Sequence, residues 1–351
     1  MKGFRGWLSK ESTTTNPDEL VGDNVLVKVT ASGICGTDIH HIQRDVVLGH
    51  EGVGIVEDVG PQVKYLKKGT LVAWGFVTAV ATVFSVSEER KSFVESDASM
   101  ASKMLTKAVF EVFLHIVPNS ISDEDAAPLQ CGGATAFTAL EGVQPTDTVA
   151  IMGVGGLGHL CIQFANKLGC RVVVLSGTGS KREEALTLGA HKFISMADHK
   201  PEDFDDEWKI HRLLIATSVP PKWEILLPTL APKVVVYALS MPYMPFILDG
   251  ISVKGSLVAT RAVHREMLAF AAFHGIKPVV ETLPLTAEGM KEAMDKLDGG
   301  KIHFKAVLVA KEELGLKMGM GNRGGIIAGE FWGRVVGEEF RWCWLLMIES
   351  N

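Results

Sequence analysis

The sequence predicts an α/β protein in which a β-rich domain is followed by a doubly wound parallel sheet. The 351-residue length suits two domains of ordinary size. Runs that alternate apolar and polar residues dominate the first third, as expected of half-buried strands. Beyond about residue 131, short apolar runs alternate with amphipathic stretches, a pattern typical of parallel strands covered by helices.

The first domain is predicted to span residues 1–131. Strand-like patterns occupy residues 21–30, 49–60 and 69–76. Between the first two, residues 31–41 (ASGICGTDIHH) are interrupted by glycines and are expected to form a loop. The domain is therefore expected to be irregular as well as rich in strands.

The second domain is predicted to span residues 132–264, and the chain then returns to the first domain over residues 265–310. Strands are expected at 148–152, 171–176, 212–217, 233–240, 253–260, 277–285 and 305–309, and helices at 157–169, 181–190, 261–275 and 286–300. Gly189 closes the second of these helix patterns, and a Gly-Gly pair closes the last, as is usual at helix ends.

Composition and charge exclude several classes of protein. The chain has 47% hydrophobic residues, a formal net charge of −6 and no basic block, so neither a nucleic acid nor a membrane surface is indicated as a partner. No run approaches the roughly 18 apolar residues of a membrane helix, and residues 1–20 do not read as a signal peptide. The five cysteines form no disulfide-like framework. The expectation is a soluble, cytoplasmic protein with thiols that are free or bind metal.

Gly153, Gly155 and Gly158 form a G-x-G-x-x-G motif that encloses Gly156 and Leu157. The motif alone is a weak signal because glycine is common in this chain. Its position between a predicted strand and a predicted helix is what a dinucleotide site requires, since the pyrophosphate would approach the helix N-terminus closely. The alternative is an ordinary glycine turn between a strand and a helix.

The end of the next predicted strand indicates which nucleotide would bind. An NAD site usually carries Asp or Glu about 20 residues beyond the glycines, whereas Ser176 stands here. Thr178, Ser180, Lys181 and Arg182 follow, so hydroxyls and two cations are available for a 2′-phosphate. This favours NADP(H). The alternative is that Lys181 and Arg182 are the solvated first turn of a helix.

Two cysteines and a histidine provide a candidate metal site. Cys35, His50 with its neighbour Glu51, and Cys131 all lie in glycine-rich segments. Two thiolates and an imidazole suit zinc and leave a fourth position open for water or substrate. Each residue also has a simpler interpretation, because a lone cysteine is more often a small buried apolar residue and GHEGVG could be only a turn.

Taken in order, the motifs GICGTDIH, GHEGVGIVEDVG, QCGGAT and GVGGLG resemble those of the zinc-containing medium-chain alcohol dehydrogenases. The stretch LSGTGSKREEAL is similar to the NADP(H)-using cinnamyl-alcohol-dehydrogenase branch. The resemblance runs from about Val21 to Val309, with a gap near 77–107. It implies a GroES-like catalytic domain, a Rossmann cofactor domain, one catalytic zinc, and hydride transfer between NADP(H) and an alcohol/aldehyde pair.

The resemblance also implies the ligands of the metal. Cys35, His50 and Cys131 would bind the zinc, which is the ligand set known for alcohol dehydrogenases. Glu51 would be the neighbouring carboxylate that can approach the metal during ligand exchange. Asp38 would support the ligand histidine through a hydrogen bond.

Further roles follow from the same resemblance. Thr37 would relay the substrate proton, His40 would pass it towards solvent, and Thr135 would lie near the nicotinamide. The partner would be a small alcohol or aldehyde. A homodimer joined through the edge of the cofactor-domain sheet is expected as well.

Two segments depart from the family pattern. Residues 77–107 stand where many relatives carry a structural zinc on four cysteines, and they contain no cysteine, so no structural zinc is expected. Residues 311–351 form a tail without a family counterpart. These segments leave open a catalytically impaired protein that only binds nucleotide. A zinc-free quinone or enone reductase of the same superfamily is a further alternative.

Overall fold

The computed structural model of the chain covers most of both predicted domains. It describes residues 20, 22–23, 25–41, 50–75, 114–197, 208–217, 221–237, 252–254, 258–310, 331–335 and 338–342. Only the backbone is described for His40, His41, Ser252, Val253 and the strands beyond residue 330. The atypical segment 77–107 and most of the tail 311–351 lie outside the described residues.

The described strands and helices alternate along most of the chain. Their bounds are β1 Val25–Ile34, α1 Gly36–His41, β2 Glu51–Val59, β3 Leu71–Gly75, β4 His115–Ile116, α2 Asp123–Pro128, α3 Ala134–Ala139, β5 Thr148–Met152, α4 Gly158–Lys167, β6 Arg171–Ser176, α5 Arg182–Thr187, β7 Lys192–Ser195, β8 Ile210–Ile215, α6 Trp223–Leu226, β9 Leu230–Tyr237, β10 Ser252–Val253, α7 Arg261–His274, β11 Val280–Pro284, α8 Ala287–Asp298, β12 Lys305–Val309, β13 Phe331–Val335 and β14 Glu338–Trp342. A π-helical turn, Leu129–Gly133, joins α2 to α3.

The first sheet contains six strands in the order β11-β12-β1-β2-β3-β4. Strand β1 lies antiparallel to both β2 and β12, and β11 lies parallel to β12. The strands β11 and β12, which lie in the segment 265–310, thus share a sheet with β1 to β4 of the first domain. The boundaries 1–131, 132–264 and 265–310 themselves stay predictions.

The segment expected to be a loop at 31–41 has a different structure. Residues 31–34 complete β1, where they pair with β2 on one side and β12 on the other, and α1 follows. At Gly33 a side chain would collide with the carboxylate of Glu51, so glycine fits a close approach here. The loop prediction was wrong because pairing on both sides outweighs the local effect of glycine.

The second sheet has the order β10-β9-β8-β5-β6-β7, and all neighbouring strands are parallel. This order confirms the predicted doubly wound sheet. The chain reverses its direction of winding between β5 and β8, so a crevice opens at the carboxyl ends of these two strands. Of the strand expected at 253–260, Val253 belongs to β10, residues 255–257 lie outside the described residues, and residues 258–260 lead into α7.

An aromatic cluster fixes three helices relative to one another. The rings of Phe137 on α3, Phe164 on α4 and Phe270 on α7 have centroids 5.4 to 6.2 Å apart. All three belong to or pack against the largest apolar core, which also includes β5. Helix α3 continues the π-helical turn that carries Cys131, and α4 begins at the glycine motif. This core therefore positions the predicted metal site relative to the predicted dinucleotide site.

Helix ends agree with the sequence signals. Thr260 accepts a hydrogen bond from the Val263 amide at the start of α7, and Gly275 ends that helix with a φ of 64°. The start of α8 is capped in the same way by Thr286. Among the described helices, none is long and apolar enough to cross a membrane.

Candidate functional site

Cys35, His50 and Glu51 converge because β1 and β2 are paired. Cys35 follows the end of β1, and His50 directly precedes β2, which Glu51 begins. Gly33 and Glu51 are register partners, so the two strand ends lie side by side. Cys131 joins them from the π-helical turn, a conformation that is often found at functional sites.

The ligand atoms of Cys35, His50, Glu51 and Cys131 all lie within 4.8 Å of one another, and these four residues are called the metal group below. The Cys35 Sγ lies 3.1 Å from the His50 Nε2. In the part of the chain that the structure describes, no other group of three or more such residues is found. Two thiols, one imidazole and one carboxylate are a donor set that fits zinc.

Asp38 fixes the orientation of His50. Its Oδ2 accepts a hydrogen bond from the Cys35 amide at 3.0 Å, and its Oδ1 lies 3.3 Å from the His50 Nδ1. With Nδ1 bound to a carboxylate, Nε2 is the nitrogen that faces the two sulfurs. Asp38 thus lies between the Cys35 backbone and the His50 ring, and its role in supporting a metal ligand stays a prediction.

Close contact between the side chains of the metal group shifts the pKa values of Cys35, Cys131 and His50. The hydrogen bond between the two thiols lowers the pKa of Cys35 and raises the pKa of Cys131, because one sulfur carries the proton for both. Burial favours neutral His50, but hydrogen bonds to Asp38 and Cys35 outweigh it and raise the pKa of His50 to about 11. The pocket stabilises a thiolate, and a divalent cation would replace these protons on binding.

Lys305 belongs to this group and was missed by the sequence analysis. Its Nζ lies 2.6 Å from the Glu51 Oε1, although the two residues are 254 positions apart. Burial raises the pKa of Glu51 to about 7 in spite of the nearby ammonium. A lysine that begins the apolar strand pattern KAVLV was the only signal of this contact in the sequence.

The glycine motif forms the turn between β5 and α4. Gly153 has a φ of 97°, which favours glycine, and a side chain at Gly158 would collide with the Gly153 carbonyl. A Cβ at Gly156 would lie 2.7 Å from the carbonyl oxygen of Phe304. Gly155 accepts a hydrogen bond from the His159 amide, so the turn closes directly onto the helix, with Leu157 preceding α4.

The predicted 2′-phosphate residues are only partly brought together. Ser176 ends β6 beside the turn, since the Gly153 amide donates to the neighbouring Leu175 carbonyl at 2.9 Å. Lys181 reaches the turn, where its Nζ donates to the Val154 carbonyl at 3.0 Å.

The remaining members of this set lie further out. Thr178 and Ser180 are exposed, and their hydroxyls bond to each other at 2.9 Å. The Arg182 guanidinium packs on the Phe193 ring, 4.8 Å from its centroid, and donates to the Phe193 carbonyl. Arg182 therefore points along β7 in this structure.

Three residues with inferred roles in proton transfer or cofactor binding have different surroundings. The Thr37 amide donates to the Cys35 Sγ at 3.4 Å, which places Thr37 directly beside the metal group. The Thr135 hydroxyl accepts a hydrogen bond from the Val258 amide at 3.1 Å. The backbone of His40 lies in α1, and its side chain is outside the described residues.

A glycine turn at the switch point of a parallel sheet, next to a Cys2His group with a carboxylate, is the arrangement of an oxidoreductase with a candidate metal site and a candidate dinucleotide site. The family model of the alcohol dehydrogenase GroES-like domain matches residues 22–107, and that of the zinc-binding dehydrogenases matches residues 156–273. The chain belongs to the zinc-containing medium-chain alcohol dehydrogenase family, which confirms the resemblance.

Known relatives cover most of the chain. An aldehyde reductase of Synechocystis sp. is 31% identical over 319 residues, which are 84% of this chain and 93% of that protein. An NADP-dependent alcohol dehydrogenase of Saccharomyces cerevisiae is 25% identical over 350 residues, with 89% and 96% covered. The structure of a cinnamyl alcohol dehydrogenase from Sorghum bicolor has a TM-score of 0.67 and 27% identity, with 84% of this chain and 93% of that chain covered.

Proposed function

We propose that this protein is a zinc-dependent oxidoreductase that transfers a hydride between NADP(H) and an alcohol/aldehyde pair. The observation that carries the proposal is the convergence of the Cys35, His50, Glu51 and Cys131 ligand atoms within 4.8 Å of one another. This donor set favours the proposal over a zinc-free quinone or enone reductase, which would have no use for it. The names of the aldehyde reductase and alcohol dehydrogenase relatives point in the same direction.

The chain's own residues would bind and orient the reacting groups. When bound, zinc supplies a Lewis acid for the substrate oxygen, and the nicotinamide supplies the hydride. Thr37, beside the ligand Cys35, would donate a proton to the substrate oxygen during aldehyde reduction, and His40 would pass protons between Thr37 and solvent. Asp38 would keep the His50 Nε2 directed at the metal.

The preference for NADP(H) rests on the residues beyond the glycine turn. No carboxylate stands at the end of β6, where Ser176 is found, so a 2′-phosphate would meet no repulsion there. The Lys181 ammonium lies at the turn and offers a positive charge there. Thr178, Ser180 and Arg182 would have to move to contribute, and Thr135 would border the nicotinamide.

The test of the proposal is zinc content per chain together with NADPH oxidation in the presence of a simple aromatic aldehyde. We expect about one zinc per chain and clear turnover for the unaltered protein. Cys35→Ser should lose the zinc. Its turnover should fall by more than the roughly 10- to 100-fold loss that follows when a hydrogen-bond partner of a metal ligand is removed. Cys161→Ala, which alters a buried cysteine of α4, is the control and should keep both.

Other outcomes would support the alternatives. Full turnover in Cys35→Ser, or NADPH-dependent enone reduction that resists chelators, would support a zinc-free reductase. Firm NADPH binding without turnover on a broad panel of aldehydes would support a protein that only binds nucleotide. A homodimer through the edge of the second sheet is part of the proposal, and the mass of the protein in solution at several concentrations tests it.

A further inference from the structure

Phe304 has an unusual backbone conformation in the turn before β12. Its φ is 69°, in the left-handed region that residues with a Cβ seldom adopt, and its side chain is only 6% exposed. Such a conformation persists only where the surroundings hold it in place, and it is found most often where function requires a particular geometry. The contacts of Phe304 are therefore informative.

The ring of Phe304 contacts two side chains, those of Lys181 and His159, and each of these bonds to the glycine turn. The Lys181 Nζ lies 4.4 Å from the ring centroid, close enough for a cation–π interaction. The ring of His159 stacks on Phe304 at 4.8 Å with an interplanar angle of 27°. His159 is itself fixed, since its Nδ1 donates to the Gly155 carbonyl at 3.0 Å and its Nε2 accepts from the Val279 amide at 3.0 Å.

The neighbours of Phe304 extend these contacts in both directions. His303 Nε2 lies 2.5 Å from Glu184 Oε1 on α5, on the side where the adenosine ribose would lie. Lys305 is paired with Glu51 in the metal group. Through their contacts, the three consecutive residues His303, Phe304 and Lys305 thus connect α5, the glycine turn and the metal group.

We propose that Phe304 positions the nucleotide, because its ring holds the Lys181 ammonium at the glycine turn, where this cation meets the 2′-phosphate of NADP(H). One of the three ammonium protons bonds to the Val154 carbonyl, and among the described residues the other two remain for phosphate oxygens. The ring attracts the cation without supplying a competing acceptor. Arg182, which packs on Phe193, has no such support at the turn. The inference rests on the proposed use of NADP(H).

The test measures the dissociation constants of NADPH and NADH by fluorescence titration of the purified protein. Phe304→Leu should weaken NADPH binding by roughly 3- to 10-fold, while NADH binding changes by less than about twofold. Phe304→Tyr keeps an aromatic ring and should restore NADPH affinity. The kcat at saturating NADPH should be unchanged in both variants, since a defect in holding the cation affects binding and not the later steps.

A double-mutant cycle separates this role from a general structural one. In a Lys181→Ala background, Phe304→Leu should have no further effect on the ratio of NADPH to NADH affinity. A persisting effect, or equal losses for both nucleotides, would overturn the role of Phe304. If Phe304→Leu does not fold, Phe304→Met serves in its place with the same expectations. An unaltered protein without preference for NADPH would instead overturn the proposed nucleotide, and the inference with it.

Discussion

Glu51 and Lys305 form an ion pair with almost no access to water, because their side chains are 0% and 6% exposed. Removing such charges from water costs several kcal/mol for each ion, and the pair offsets this only while both partners are present. The Glu51 Oε2 is buried and has no hydrogen-bond partner among the described residues. The predicted approach of Glu51 to a metal would use this oxygen, while Oε1 stays bound to Lys305.

At the residue scale, we expect Lys305→Met to lower the free energy of unfolding by about 3–5 kcal/mol, because it leaves Glu51 buried without a counter-ion. Adding Glu51→Gln should recover part of the loss. Urea unfolding of the metal-free protein measures both. Lys291→Met is the matched control, since its ion pair with Asp295 is 62% exposed on both sides and should contribute little. Equal stability of Lys305→Met and the unaltered protein would contradict the burial of this pair.

The contact between β4 and α7 contains an unusual pair of histidines. The rings of His115 and His264 stack with centroids 4.3 Å apart and an interplanar angle of 11°. Both nitrogens of His115 and the Nε2 of His264 are buried, and none of the three has a hydrogen-bond partner among the described residues. Burial, with the charges of Arg265 and Arg261, lowers the pKa of His115 to about 4. Burial, with His115, lowers the pKa of His264 to about 3.

At the element scale, this pair predicts a loss of stability in mild acid. Both folded-state pKa values lie below the unfolded value of about 6.5, so the unfolded chain binds more protons as the pH falls below that value. Each imidazole should lower stability by about 2 kcal/mol between pH 6.5 and pH 5. The melting temperature across this range measures the effect.

Variants can assign the acid effect to the pair. His264→Leu should flatten the dependence of the melting temperature on pH, because a neutral side chain replaces one buried imidazole that must be protonated in acid. His211→Asn changes an exposed histidine and should leave the dependence as it is. An unchanged slope in His264→Leu would show that other groups cause the acid effect.

At the scale of the whole molecule, β12 is the strand that joins β11 to β1 in the first sheet. It lies between β1 and β11 and carries Lys305 to Glu51. By contrast, β13 and β14 pair with each other in a separate two-stranded sheet. Strand β12 is thus part of a large sheet, whereas β13 and β14 add no strand to either large sheet.

Truncation tests this difference. A chain that stops after Glu312 should retain zinc, NADPH binding and a cooperative melting transition, because both large sheets stay complete. A chain that stops after Gly300 lacks β12 and should lose all three properties, since β1 would keep only β2 as a neighbour along its last residues. Zinc analysis and thermal melting distinguish the two. Loss of zinc in the longer truncation would mean that the tail contributes to the site.

The sequence by itself determined the features that depend on short stretches of chain. The strand pattern of TVAIM, the positive φ required at Gly153 and the glycine that ends α7 each follow from a few neighbouring residues. The residue types of the metal group could be predicted as well, because Cys35, His50 and Cys131 occur in distinctive motifs. Their roles as ligands stay a prediction until metal is measured.

Only the tertiary structure decided which distant residues meet. Glu51 and Lys305 pair across 254 positions, and Phe304 reaches Lys181 because β12 returns to the first sheet beside the glycine turn. Likewise, His115 and His264 are brought together by the packing of β4 against α7. Hydrophobic periodicity and capping act over a few residues, whereas these contacts arise from strand order and helix packing, and no local pattern carries that information.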